Sequence, residues 1–221
     1  MQGFIHQLFS KVVFETRLNN SKKDLNKFIK DFKNFKVKDT SEKKNITRAT
    51  ESKYILNDER FKELRKVLLQ QFYSFKNEAL LFNNTDFEIT TSWLAVSSTN
   101  CEGVPHNHRN SFYSGVYYLK VPKKSGGIKF INYNTSNFLI EPTTDNQLNT
   151  TEWRFNVQDD SLLLFPSEMY HTIMKNESKQ ERISLAFNIM PKGRFGTQDS
   201  ELVMAEPALS LRAWQRSSFM L

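Results

Sequence analysis

Residues 101–119 have the sequence CEGVPHNHRNSFYSGVYYL, which places His106 and His108 directly before a run of β-branched and aromatic residues. That run predicts a strand over 113–121. Pro105 disfavours helix and keeps the segment before the strand extended. Side chains two residues apart in an extended segment point to the same face, so both imidazoles can reach one divalent metal ion.

The chain on either side of this stretch reads as a succession of short strands. Over 87–95 apolar residues alternate with more polar ones, which is typical of a half-buried strand. Further strands are predicted over 127–133, 138–140, 153–157, 162–165, 171–174 and 182–190. About eight antiparallel strands in one domain predict a jelly roll, that is, a cupin-like double-stranded β-helix.

Two amphipathic helices are predicted before these strands, so the expected fold is mainly β with flanking helices. In the first, apolar residues recur at three- and four-residue steps over 25–35, with Ser21 as its N-cap. The second is predicted over 58–82, and both apolar stripes are expected to pack against the sheet. The remaining N-terminal chain predicts a short strand over 4–14 and a loop over 36–52.

These patterns divide the chain into three parts within one structural domain. Residues 1–85 form an N-terminal strand and helical support region, 86–196 the β-helix core, and 197–221 a C-terminal tail without an assigned role. A length of 221 residues with 38% hydrophobic content is enough to bury one sizeable core.

The single cysteine, Cys101, excludes an internal disulfide framework and fits a reducing compartment. No apolar run approaches the roughly 18 residues of a membrane helix, and the first residues lack the features of a signal peptide. We therefore expect a cytoplasmic protein without a membrane partner.

The formal net charge of +7 owes much to lysines between residues 22 and 44. A surface for nucleic acid is one interpretation of this segment. The favoured interpretation is the solvated face of an amphipathic helix, because the phenylalanines among these lysines fall at helical spacing.

A third histidine, His171, follows the predicted buried strand over 162–165, which places it at a strand entrance on the rim of the barrel. With His106 and His108 it could occupy one face of a metal ion and leave other positions open for substrate or oxygen. The alternative is a surface histidine at a junction between loop and strand.

Arg182 begins the last strong strand, and every second residue after it shares its face. Ile183, Leu185 and Phe187 alternate with this face and are expected to be core. A buried guanidinium needs an anionic partner, and its geometry suits a carboxylate. The sequence therefore predicts a carboxylate ligand, with a salt bridge to Glu181, Glu141 or Glu152 as the alternative.

Five phrases of the chain resemble the iron(II)- and 2-oxoglutarate-dependent dioxygenases, in particular a phage and bacterial branch related to prolyl 4-hydroxylases. They are PHNH, SGVYYL, the GG-x-x-F of 126–130, LLLFPSEMYH and RISLAFN. In the last two, a histidine is followed about ten residues later by R-x-S. The resemblance covers about residues 4–196.

The resemblance implies an enzyme of the cytoplasm of a bacterial or phage-infected cell. Oxygen would convert 2-oxoglutarate to succinate and carbon dioxide while an unidentified substrate, for example a protein prolyl side chain, is hydroxylated. The alternative is a non-catalytic jelly roll that binds a metal or an anion, such as a phage accessory protein. The resemblance assigns Fe(II) to His106, His108 and His171, and 2-oxoglutarate to Arg182, Ser184 and Tyr117.

His108 departs from the family pattern, since most members have Asp at this position. Three neutral imidazoles compensate less of the metal's charge, so we expect a changed affinity and redox behaviour. Two other ligand choices are ranked lower. Glu102 precedes the predicted strand, and Asn110, which would pair with His108, is a weak ligand.

Overall fold

The computed structural model describes residues 4, 6, 8–39, 45–82, 85–133 and 141–204. The strand predicted over 138–140 and most of the C-terminal tail lie outside these residues. Within the described part of the chain, no helix has the length and apolar character that a membrane span requires.

Two antiparallel sheets form the framework of the described chain, which confirms the mainly β, jelly-roll prediction. The larger sheet has the order β1-β8-β5-β10-β4-β3-β2, with β11 paired to β10, and the smaller has the order β7-β6-β9. The strands are β1 Phe14–Arg17, β2 Val37–Lys38, β3 Arg48–Thr50, β4 Asp86–Ser97, β5 Tyr113–Lys120, β6 Ile128–Ile131, β7 Glu152–Phe155, β8 Ser161–Pro166, β9 His171–Ile173, β10 Arg182–Phe195 and β11 Leu202–Met204.

Two helices precede β4. Helix α1 spans Lys22–Phe32 and begins with a capping box between Ser21 and Asp24, which confirms the predicted N-cap. Helix α2 spans Lys62–Phe75 and continues as a π-helical turn at Lys76–Leu80. Both helices are shorter than the apolar stripes suggest, because the stripes run on into the turns beside them.

Two clusters of buried side chains lie on opposite faces of the larger sheet. One joins the helices to the sheet and includes Phe32, Leu68 and Phe187. The other lies between the two sheets and includes Tyr118 and Phe130. The first cluster contains residues from both sides of the boundary predicted at 85/86. The division of the chain at that point stays a prediction.

Two predictions for the N-terminal region are wrong. The described residues of 4–13 form no strand, and pairing with β8 begins only at Phe14, opposite Leu164. Residues 36–52 are not simply a loop, because β2 and β3 extend the large sheet beyond β4. Strand β2 lies at the sheet edge and β3 lies between β2 and β4, and at two and three residues both are too short to show an apolar alternation.

Candidate metal centre and co-substrate cavity

Three histidines converge at one end of the space between the sheets. Their candidate ligand atoms all lie within 4.8 Å of one another. His106 Nε2 and His108 Nε2 are 3.2 Å apart. The rings of His106 and His171 have a centroid separation of 4.5 Å, and those of His108 and His171 one of 5.0 Å. The structure thus brings together the three histidines that the sequence singles out.

Backbone hydrogen bonds fix these three residues to one another. His106 and His171 donate to each other's carbonyl oxygens at 2.9 Å in both directions. The His108 amide donates to the Ser167 carbonyl at 2.9 Å. The segment that carries His106 therefore runs antiparallel beside β9, which explains how residues far apart in the chain meet.

The Nδ1 atoms of two of the histidines face carbonyl oxygens. His106 Nδ1 lies 2.8 Å from the Val104 oxygen, and His171 Nδ1 lies 2.9 Å from the Met169 oxygen. A carbonyl oxygen only accepts hydrogen bonds, so each Nδ1 carries the proton. Each Nε2 then presents its lone pair towards the centre of the cluster, as a metal ligand does.

Burial keeps two of these imidazoles neutral. Desolvation lowers the pKa of His171 to about 3, although the hydrogen bond to Met169 opposes this effect. Desolvation likewise lowers the pKa of His108 to about 4, against the hydrogen bond to Asn188. Neutral imidazole is the form that binds a metal ion.

A cavity of about 280 Å³ extends from the histidines to Arg182. Its floor along β4 and β10 consists of small side chains, Ala95, Ser184 and Ala186. This volume is near the lower end of the range for ligand pockets, roughly 300 Å³. The cavity therefore suits a small organic acid better than a large ligand.

Arg182 is buried at 2% exposure and has no ion pair among the described residues. Its Nη1 donates to the Ser125 carbonyl at 2.5 Å, and both terminal nitrogens lie 3.4 Å from the Met174 carbonyl. The acids proposed as its partners are otherwise engaged or exposed. Glu181 pairs with Arg48, Glu152 pairs with Lys129, and Glu141 is exposed.

Tyr117 is not part of this cavity. It belongs to the core beneath the helices, and its hydroxyl donates to Asp160 Oδ1 at 2.6 Å. The neighbouring residue, Tyr118, lines the cavity instead. Burial raises the pKa of Tyr118 to about 12, and the charge of Arg182 opposes that rise. The prediction missed Tyr118 because the sequence does not show which of two adjacent tyrosines faces inward.

Neither alternative ligand joins the cluster. Among the described residues, the only group of potential metal ligands consists of the three histidines. Glu102 is exposed, and its backbone pairs instead with that of Thr47. Asn110 is exposed and lies in a turn with a φ of 58°.

A second, wider groove of about 790 Å³ is lined by residues of β6 and β7 and by Tyr170, the residue before His171. Three aromatic side chains that are partly exposed line it, namely Tyr133, Trp153 and Tyr170. The rings of Tyr133 and Tyr170 meet edge to face at 4.8 Å. No sequence pattern indicated this groove, because its residues come from separate strands and turns.

The comparison with known proteins agrees with this geometry. Residues 91–188 match the family model described as "Putative 2OG-Fe(II) oxygenase". No curated protein sequence matches the chain. The matched region contains all three histidines, Arg182 and Ser184.

Solved structures with a similar fold are numerous. HygX from Streptomyces hygroscopicus, with nickel, 2-oxoglutarate and hygromycin B bound, has a TM-score of 0.59 at 10% identity over 82% of this chain and 83% of its own. A Pseudomonas putida prolyl-4-hydroxylase has a TM-score of 0.58 at 14% identity over 84% and 96%. The collagen prolyl hydroxylase of Paramecium Bursaria Chlorella virus-1 has a TM-score of 0.53 at 12% identity over 80% and 94%.

The double-stranded β-helix and the histidine cluster agree with the family model that matches residues 91–188. The resemblance to 2-oxoglutarate/Fe(II)-dependent oxygenases that the motifs led us to expect is confirmed. Fe(II) and 2-oxoglutarate are the cofactor and co-substrate of this class.

Proposed function

We propose that the protein hydroxylates a protein side chain, with His106, His108 and His171 as iron ligands and Arg182, Ser184 and Tyr118 as partners of 2-oxoglutarate. One observation carries this proposal. The three histidines stand at one end of a cavity, and a buried guanidinium without a carboxylate partner among the described residues stands at the other.

The donor set fits iron. Imidazole nitrogens suit iron among the first-row metals, and three ligands leave positions free for a co-substrate. When bound, iron(II) supplies the oxygen chemistry in which 2-oxoglutarate becomes succinate and carbon dioxide, one oxygen atom entering succinate and the other the substrate. The protein's part is to bind, orient and shield the reactants.

Arg182 binds the distal carboxylate of 2-oxoglutarate. A guanidinium holds a carboxylate through two parallel hydrogen bonds, and these gain strength where water is excluded. The carbonyl oxygens of Ser125 and Met174 hold the guanidinium from behind. The hydroxyls of Ser184 and Tyr118 line the same cavity and supply further donors.

Apolar walls exclude water from the reacting end. Val116, Ile128 and Phe165 line the cavity between the histidines and Arg182. Phe165 packs against the His171 ring at a centroid distance of 4.9 Å. These contacts fix the ring orientation of His171 and keep bulk water away from 2-oxoglutarate.

The groove lined by Tyr133, Trp153 and Tyr170 supports a peptide as the substrate. Grooves lined by aromatic side chains accept extended or proline-rich peptides, because flat rings pack on an ordered backbone. Tyr170 lies in this groove and directly precedes His171 in the chain.

Succinate formation tests the proposal. Purified protein with Fe(II), ascorbate, oxygen and 2-oxoglutarate should release succinate slowly without substrate and faster with an accepted peptide. Protein that binds the metal but forms no succinate under any of these conditions is instead a non-catalytic metal-binding module.

A further inference from the structure

The Nδ1 atom of His108 faces side chains rather than a carbonyl of the backbone. It lies 2.7 Å from Asn188 Oδ1 and 2.8 Å from Ser114 Oγ. Ser114 is fully buried and also contacts Ser167 Oγ, another fully buried hydroxyl, at 2.8 Å. His108 is thus the only member of the cluster whose outer nitrogen is held by a network of side chains.

The amide of Asn188 lies with its oxygen towards His108 and Ser114 and its nitrogen towards Thr91. Its Nδ2 donates to Thr91 Oγ1 at 3.0 Å, and its Oδ1 accepts from Ser114 Oγ at 2.9 Å. The backbone of β10 places Asn188 opposite Ser114 on β5 and Thr91 on β4, so three adjacent strands contribute one residue each. A register shift follows at Asn188 and Ile189, and such bulges commonly re-aim a side chain beside an active site.

With Asn188 Oδ1 directed at His108, one proton arrangement satisfies the network. Ser167 donates to Ser114, Ser114 donates to Asn188 Oδ1, and His108 Nδ1–H donates to the same oxygen. The other His108 tautomer would place two lone pairs 2.7 Å apart. The network therefore selects the tautomer whose Nε2 lone pair faces His106 Nε2 at 3.2 Å.

We propose that Asn188, supported by Ser114 and Thr91, is a positioning residue that holds His108 as a metal ligand. This inference rests on the proposed function, because it takes His108 to be a ligand.

The test compares three variants with the wild type. N188L removes the acceptor at similar volume, and N188D replaces the amide with a stronger acceptor. N107L makes the same Asn-to-Leu change beside His108, where the Asn107 amide donates to the Glu168 carbonyl at 3.5 Å. Titration with Co(II), Mn(II) and Fe(II) gives the affinity, and nitrogen-15 NMR of the histidines of the metal-free protein gives the tautomer.

We expect His108 of the wild type to carry its proton on Nδ1. N188L should lose this preference and bind metal about 10- to 100-fold more weakly, the loss typical of removing such a partner. N188D should keep the tautomer and bind at least as tightly as the wild type, and N107L should match the wild type. If N188L fails to fold, the metal affinity and His108 tautomer of N188D still test the role of Asn188.

Separate outcomes contradict the two proposals. Wild-type protein that binds none of the metals overturns the proposed function and this inference together. Metal binding by N188L equal to that of the wild type, or an Nε2–H tautomer of His108, overturns this inference alone. So does an N188D variant that binds metal more weakly than the wild type.

Discussion

His106 and His171 exchange a pair of backbone hydrogen bonds, each 2.9 Å long, between two segments that lie far apart in the chain. This pair fixes the spacing of the two backbones from which the imidazoles of His106 and His171 project. The third imidazole, that of His108, is fixed separately through Ser167 and Asn188. Removing one ring should therefore leave the backbone arrangement intact, so the cluster can be tested one residue at a time.

Replacing His171 by alanine should abolish stoichiometric iron binding. Two imidazoles remain, and we expect the affinity to fall by more than about 100-fold, beyond the loss from an outer partner. Equilibrium dialysis with metal analysis measures this loss. His6→Ala is the matched control, since His6 is exposed and lies outside the cluster. Full iron occupancy in the His171 variant would contradict the ligand assignment.

Replacing Arg182 by alanine should weaken 2-oxoglutarate binding while the metal stays bound. Truncation of one partner of a buried charge pair costs about 2–5 kcal/mol, which is at least about 30-fold in affinity. Calorimetric titration of the metal-loaded protein measures it. The control Arg154→Ala removes an exposed arginine that contacts Glu152. Unchanged co-substrate affinity in the Arg182 variant would refute the carboxylate role.

The adjacent tyrosines should respond differently to loss of the hydroxyl. Tyr118→Phe removes a donor in the cavity and should weaken 2-oxoglutarate binding by about 0.5–1.5 kcal/mol. Tyr117→Phe removes the hydrogen bond to buried Asp160 and should lower the free energy of unfolding by about 1–3 kcal/mol. Denaturant unfolding measures the free energy of unfolding of each variant, and calorimetric titration measures its affinity for 2-oxoglutarate. The reverse pattern would show that Tyr117 serves the co-substrate.

A side chain at position 115 should destabilise the protein, because Phe187 lies opposite Gly115 on the neighbouring strand. A Cβ at residue 115 would overlap the Phe187 ring in the core beneath the helices. Gly115→Ala should therefore lower the free energy of unfolding by about 1–3 kcal/mol. In the Phe187→Leu background the same change should cost less, because the ring is gone. Equal costs in both backgrounds would show that the overlap is relieved by movement elsewhere.

Much of the fold followed from local patterns in the sequence. Alternation of apolar residues located most strands of the core, and Ser21 as an N-cap located the start of α1. The pairing of His106 with His108 and the common face of Arg182 and Ser184 follow from the two-residue period of extended chain. These features depend only on neighbours along the chain, so the sequence by itself determined them.

Tertiary structure alone decided which faces and segments meet. A shift of one residue reverses every side chain of a strand, so only the register of β5 against β10 and β8 separates Tyr118 from Tyr117. The meeting of His171 with His106 depends on hydrogen bonds between distant segments. Asn188, Ser114 and Thr91 come together only because β10 lies between β5 and β4. Contacts of this kind arise from the order of strands in the sheet, which no local pattern of residues specifies.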